Sequence, residues 1–166
     1  MKRNDQRHKV KTYLPDDVIK AIYGHRLDFV KSWIITDNID STDRDNRTAI
    51  FYAVLTNSKE IVQVLLAFGA NLNIRDNKGW CPLHYAAQNN FVEIADLLIC
   101  NGADIEAKDN YGNTPLWRAT FASQGPGEMI TLLLKSGADK KNENNSGISP
   151  IKLASTIANY DVKQFF

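Results

Sequence analysis

The side chains able to carry catalysis in this sequence are three histidines (His8, His25 and His84), two cysteines (Cys81 and Cys100) and a scatter of carboxylates. Nucleophilic catalysis needs a nucleophile, a base within hydrogen-bond reach and a third group that orients the base. His8 falls in a basic run, His25 between two short apolar segments, and His84 in a motif that recurs along the chain with other residues in its place. Nothing in that spacing pairs them. The chain has no G-x-x-x-x-G-K-[ST], no G-x-G-x-x-G and no H-E-x-x-H, and the Gly-Pro-Gly at 125–127 follows no strand that could aim amides at a phosphate. Aspartates and glutamates recur at turn positions, where geometry rather than acid–base chemistry accounts for them.

Cys81 and Cys100 lack companions at metal-ligand spacings and are too few for a disulfide framework, so they read as free thiols in a reducing compartment. If one opens a helix and the other closes its antiparallel neighbour, a disulfide between them stays as the minority alternative. No enzyme, cofactor or metal is expected.

Composition narrows the partner. The chain has 166 residues, 43% hydrophobic and 23% charged, which is an ordinary globular domain. Lys plus Arg number 20 against 19 Asp plus Glu, a net charge of +1, so there is no field that would argue for nucleic acid or an anionic membrane. Residues 1–11 carry Lys2, Arg3, Arg7, Lys9 and Lys11 against Asp5 alone, which reads as a mobile, solvated basic tail or, alternatively, a contact for an acidic partner. No apolar stretch follows it to form a signal peptide, and no run approaches the roughly 20 residues of a membrane span, so a cytoplasmic location is expected.

The strongest signal is internal repetition. RDNKGWCPLHYAA from Arg75 returns as KDNYGNTPLWRAT from Lys108, a shift of 33 residues. The same shift backward reaches DRDNRTAIFYAV from Asp43, and a slightly longer one forward reaches NNSGISPIKLA from Asn144. The intervening segments also repeat: EIVQVLLAFGANLN, VEIADLLICNGADIE and EMITLLLKSGADKK, each with Gly-Ala near its end. Upstream, VIKAIYGHRLDFVKSWI from Val18 keeps the apolar spacing and Ala21 but lacks the turn motif, as a terminal capping unit does.

These residue types specify paired helices. Thr48, Thr114 and Ser149 can cap a helix start, Cys81 is a poorer cap, and Pro82, Pro115 and Pro150 suit a first helical position. Ala53, Ala86, Ala119 and Ala154 let helices approach closely. In the second helices, Ile61, Val64, Leu65 and Leu66, then Ile94, Leu97 and Leu98, then Met129, Leu132 and Leu133 keep an i, i+3, i+4 face. Gly69, Gly102 and Gly137 can end those helices in left-handed conformation, with Asn57 and Asn90 in the turns between helices. Between the fourth pair, Ser123 to Gly127 add two residues, read as a tolerated loop in preference to a binding element.

CPLHYAA at Cys81 to Ala87 and TPLWRA at Thr114 to Ala119 resemble the T-P-L-H-x-A signature of the ankyrin-repeat family. The resemblance covers about residues 16–166 and implies an all-α solenoid of about five stacked helix-turn-helix units with protruding β-hairpin loops. The expected organisation is a tail over 1–11 and a repeat domain over 12–166, divided into an N-terminal cap at 12–42, repeats at 43–75, 76–108 and 109–143, and a C-terminal cap at 144–166. It further implies that His84 bonds backbone between repeats.

A family of this kind binds proteins through a concave surface of hairpin tips and first helices, using residues its structural motif leaves free. Carried onto this chain, those are Arg44, Asp45 and Arg47, then Asn77, Lys78 and Trp80, then Gln88 and Asn89, then Asn110, Tyr111 and Asn113, with Phe121. Trp80 and Tyr111 stand out as aromatic hot-spot candidates, packing between hairpins being the alternative for both. Arg44, Arg47 and Lys78 suggest carboxylates on the partner. The expected function is therefore a monomeric protein-binding module, read first as a stand-alone bacterial inhibitor or immunity protein. The alternative is an adaptor, regulatory subunit or host-directed effector.

Overall fold

The computed structural model describes residues 13–34, 39–123, 127–157 and 162–166. The basic tail and the centre of the Ser123–Gly127 insertion lie outside them. The described chain forms α1 (Asp16–Tyr23), α2 (Leu27–Trp33), α3 (Ala49–Leu55), α4 (Lys59–Ala67), α5 (Pro82–Gln88), α6 (Val92–Cys100), α7 (Pro115–Ala122), α8 (Glu128–Lys135) and α9 (Pro150–Ala154), then a 3-10 turn at Val162–Phe165. Consecutive helices pair, α1 with α2, α3 with α4, α5 with α6 and α7 with α8. The pairs stack into two layers, one of α1, α3, α5, α7 and α9 and one of α2, α4, α6 and α8. Among the described residues the only β pairing is an isolated parallel bridge between Tyr13 and Thr42.

The first-helix layer is the more closely packed. Ala53, Ala86, Ala119 and Ala154, one per helix, are all buried, and their methyl groups set the close approach. Fully buried Leu14, Ile22, Ile50, Phe51, Leu83 and Leu116 fill the space around them. Each such side chain contributes about 1.5–3 kcal/mol through removal from water. A larger residue at any of the four alanines would overpack the stack. In the second layer the buried line is Ile61, Val62 and Leu65, then Ile94, Ala95 and Leu98, then Met129, Ile130 and Leu133. Val64, Leu66, Leu97 and Leu132, expected on the buried face, are only partly covered at its margin.

Helix starts follow the expected capping at α7 and α9, where Thr114 accepts from the Trp117 amide at 3.2 Å and Ser149 from the Lys152 amide at 3.4 Å. Thr48 does not cap α3: its hydroxyl is buried with no hydrogen-bond partner. At α5, Cys81 is better served than expected, because its amide N–H donates to Nδ1 of His84 at 3.2 Å. The tight turns between helices are left-handed at Asn57 (φ 52°) and Asn90 (φ 56°), and also at His25 (φ 52°) in the first pair. The fourth pair differs, with Ser123 extended after α7 and left-handed Gly127 (φ 69°) opening α8.

Candidate partner-binding face

Each hairpin loop is organised by one side chain. Asp43 Oδ1 accepts the amide N–H of Asp45 (2.8 Å) and Arg47 (2.9 Å). Asp76 Oδ1 takes Lys78 (2.8 Å) and Trp80 (2.9 Å). Asp109 Oδ1 takes Tyr111 (2.8 Å) and Asn113 (2.9 Å). Asn144 does the same for Ser146 and Ile148, both at 3.0 Å. Short aspartate and asparagine side chains suit this because they reach the amides two residues on without stretching the loop.

The second carboxylate oxygen points at the first helix of the same unit. The hydroxyl of Tyr52 donates to Asp43 Oδ2, that of Tyr85 to Asp76 Oδ2 at 2.6 Å, and Arg118 donates to Asp109 Oδ2 from Nε at 3.1 Å and from Nη2. These three residues sit nine positions after their aspartates. The sequence reading assigned them no role, although an aromatic or arginine at that offset in three units is a signal that could have found them.

Neighbouring hairpins are then tied together. The amide N–H groups of Asn77, Asn110 and Asn145 donate to the carbonyls of Asp45 (3.0 Å), Lys78 (3.2 Å) and Tyr111 (3.0 Å). Their side-chain Nδ2 atoms donate to the carbonyls of Arg44 (3.2 Å), Asn77 (3.0 Å) and Asn110 (3.2 Å). Glycine is required inside this ladder. Gly79 has φ 77°, and a Cβ there would stand 2.4 Å from Asn110 Oδ1 and 2.7 Å from Asn110 N.

This geometry sorts the expected contact residues. Arg44, Asp45, Lys78, Asn89, Asn110 and Tyr111 are exposed, as is Asn77, but the amide groups of Asn77 and Asn110 are committed to the preceding hairpin. Asn113, expected on the open surface, is only 4% exposed and accepts from Asn144 at 2.8 Å, so it fills the junction between hairpins. Arg47 is half-buried, its Nη2 donating to the Tyr85 hydroxyl at 3.0 Å and its Nε 3.5 Å from Asp76. Trp80 is also half-buried, 4.8 Å from the Tyr85 ring, with the Arg118 guanidinium 4.4 Å over its own ring. Its position is that of packing between units rather than of a free tip. Phe121 is 57% exposed and stacks on Trp117 at 5.4 Å, which places the Trp117 side chain. Gln88 is half-buried.

Electrostatics follow from these contacts. Burial pushes the Tyr85 hydroxyl up to about 12, with its bond to Asp76 adding to the effect. Tyr52 is raised by burial and Asp43 in the same way. Both stay protonated donors. For Asp109, burial opposes ionisation, but the bonds from Arg118, Asn113 and Tyr111 outweigh it and hold the carboxyl below its usual range. Burial raises the Cys81 thiol, so it is inert, while Cys100 is exposed. Both cysteines are free. The charges on the open face are therefore those of the tips, Arg44, Asp45 and Lys78.

A model of three ankyrin repeats matches residues 18–109, and a model of a single ankyrin repeat matches residues 111–146. The chain belongs to the ankyrin-repeat family. As an ankyrin-repeat protein it is a protein–protein interaction module built as an all-α solenoid. It is similar to the 26S proteasome non-ATPase regulatory subunit 10 of Rattus norvegicus, 37% identical over 67 residues that make up 39% of this chain and 29% of that protein. The subunit from Homo sapiens is likewise 37% identical over 67 residues, 39% of this chain and 30% of that protein. A putative ankyrin repeat protein of Acanthamoeba polyphaga mimivirus is 41% identical over 59 residues, 35% of this chain and 8% of that one. The chain thus spans less than a third of the length of these relatives. Among the described residues no helix is long and apolar enough to cross a membrane.

The ankyrin signature histidine takes the role its resemblance implied. His84 is fully buried, and because Nδ1 receives the Cys81 N–H, the proton lies on Nε2, which donates to the Asn113 carbonyl at 3.0 Å. That bond crosses from the third helical unit to the third hairpin, which leads into α7. Burial drives its pKa down to about 4, so it is neutral at physiological pH.

Proposed function

We propose that the chain binds one protein partner through the face made by its hairpin tips and the open side of the first-helix layer, as a regulatory or adaptor subunit. The observation that carries this is the exposed series Arg44, Lys78 and Tyr111, the last 68% exposed, on loops whose backbones are held by shared hydrogen bonds. A preordered surface loses little conformational entropy on association, and a bare tyrosine beside basic side chains suits a partner edge that carries carboxylates. The domain extends from residue 12 through 166 in this reading, with the first and last helical units acting as caps. Likeness to a protein named as a proteasome regulatory subunit supports the subunit role over the segment they share.

The second reading is an inhibitor or immunity protein that occludes its target, favoured by the stiffness of the same face. Affinity separates the two, since an occluding inhibitor of a lethal enzyme needs nanomolar or tighter binding, about −12 kcal/mol, whereas a regulatory subunit functions at micromolar values. The test is co-purification from the native organism with wild-type and Lys78→Glu, Tyr111→Ala bait, followed by calorimetry on the captured protein. Capture of the same partner by both baits with equal affinity would remove this face from the interface.

A further inference from the structure

Two positions in each unit carry a pattern that the hairpin hydrogen bonds do not explain. The residues four places after the loop aspartate or asparagine are Arg47, Trp80, Asn113 and Ile148, and those nine places after it are Tyr52, Tyr85, Arg118 and Leu153. The fourth-place residue of one unit meets the ninth-place residue of the next. At the junction of the α3 and α5 units, the Arg47 guanidinium lies over the Tyr85 ring, 5.6 Å from its centroid. At the junction of the α5 and α7 units, the Arg118 guanidinium lies 4.4 Å over the Trp80 ring. The same slot holds a cation and a ring at both junctions, with the two partners exchanged.

The two pairs join. The Trp80 and Tyr85 rings are 4.8 Å apart, so Arg47, Tyr85, Trp80 and Arg118 form one stack across three units. Each arginine is also anchored by a carboxylate, Arg47 by Asp76 at 3.5 Å and Arg118 by Asp109. A partly desolvated guanidinium is attracted to a ring face, and here the attraction acts at unit boundaries, where a repeat array gains its cooperativity. At the last junction the slot holds Asn113 and Leu153, which cannot make the pair. Trp117 takes the place of His84 there, and its buried Nε1 has no hydrogen-bond partner among the described residues. The hairpin ladder, by contrast, runs through all three junctions and sets none of them apart.

We propose that the cation–ring pair is the coupling element of this array: it makes the units of α3, α5 and α7 open as one block, and its absence at the last junction lets the unit of α9 open by itself. Arg44, Lys78 and Tyr111 all stand on the block, so these tips keep one spacing while the end of the array moves.

The experiment is native-state hydrogen exchange on the full chain, which resolves units that open separately. In the wild type, amides inside α3, α5 and α7 share one opening constant, and the Leu153 amide, bonded to the Ser149 carbonyl, exchanges at least tenfold faster. Trp80→Arg sets two guanidiniums against each other and speeds exchange in α7 at least tenfold relative to α5. Adding Arg118→Tyr rebuilds the arrangement of the α3–α5 junction and returns the two helices to within threefold of each other, a rescue that ordinary packing at these positions does not produce. Trp80→Leu, which keeps an apolar side chain without a ring face, uncouples α7 from α5 in the same direction and decides if Trp80→Arg does not fold. The proposal is overturned if α5 and α7 still exchange together in Trp80→Leu, if the double variant is no better protected than Trp80→Arg, or if Leu153 exchanges in step with α5 in the wild type. No partner enters the measurement, so its failure leaves the protein-binding reading standing.

Discussion

The two edges of the first-helix layer solve the same problem, how to reverse the chain between helices, in opposite ways. At the hairpin edge, four loops repeat one arrangement: a side-chain oxygen holds two amides, the next loop donates to the previous one, and a residue nine positions on grips the remaining carboxylate oxygen in three of them. At the turn edge the connections are His25, Asn57, Asn90 and then the irregular Ser123 to Gly127, and no hydrogen-bond ladder joins them in the described residues. Regular pairing makes the first edge stiff and leaves only the tip side chains to vary.

If that contrast is right, the costliest single changes lie at the hairpin edge. Gly112→Ala combines φ 77° with a Cβ 2.4 Å from Asn145 Oδ1 and 2.8 Å from Asn145 N. It is expected to cost about 3–4 kcal/mol, the sum of a left-handed alanine and an overpacked loop. Gly102→Ala, at φ 88° but with nothing within 4 Å, should cost only about 1 kcal/mol. Urea denaturation of both measures the difference, and equal losses would show that the ladder adds nothing.

Next comes Arg118→Met, which leaves Asp109 Oδ2 with only the Asn113 side-chain amide at 3.3 Å, beside the two backbone donors to Oδ1. The Asp109 side chain is 0% exposed and that of Arg118 15%, so about 3 kcal/mol should be lost. Tyr85→Phe, which removes a neutral donor to Asp76 that Arg47 can partly replace, should lose about 1–2 kcal/mol.

Acid should weaken the junction that His84 bridges. Its pKa is about 4 in the folded chain against 6.5 in the unfolded one, so the unfolded state binds the extra proton between those values. Stability is complete above pH 6.5 and falls as pH drops toward 4, by roughly 3 kcal/mol in all, at 1.36 kcal/mol per pKa unit. Asp109, held below its ordinary range, loses its contribution at lower pH still. His84→Gln should flatten the melting profile between pH 6.5 and 4; an unchanged slope would mean that other groups carry it.

The smallest stability effects belong to the open tips and the tight turns. Tyr111→Ala and Asn57→Gly should each change stability by less than about 0.5 kcal/mol, yet Tyr111→Ala should weaken partner binding by more than about 1 kcal/mol. Trp80→Ala, by contrast, should lower the melting temperature as well as binding, because its ring packs on Tyr85 and carries Arg118.

Periodicity by itself determined the architecture. The 33-residue return of the proline, alanine and glycine positions specifies helix starts, close packing and helix ends, and these are local or nearest-neighbour properties that any copy of the unit shares. Left-handed Asn57 and Asn90 were legible for the same reason, since positive φ is a property of the residue. What the pattern could not show is which side chains remain free. Asn113 and Trp80 sit at offsets that are open in the motif, yet their neighbours in the next unit, Asn144 and Arg118, cover them. The side-chain bonds that tie each hairpin to the one before it likewise depend on residues brought together across units. Backbone conformation is written residue by residue, but exposure belongs to pairs of surfaces, and only the stacked structure decides it.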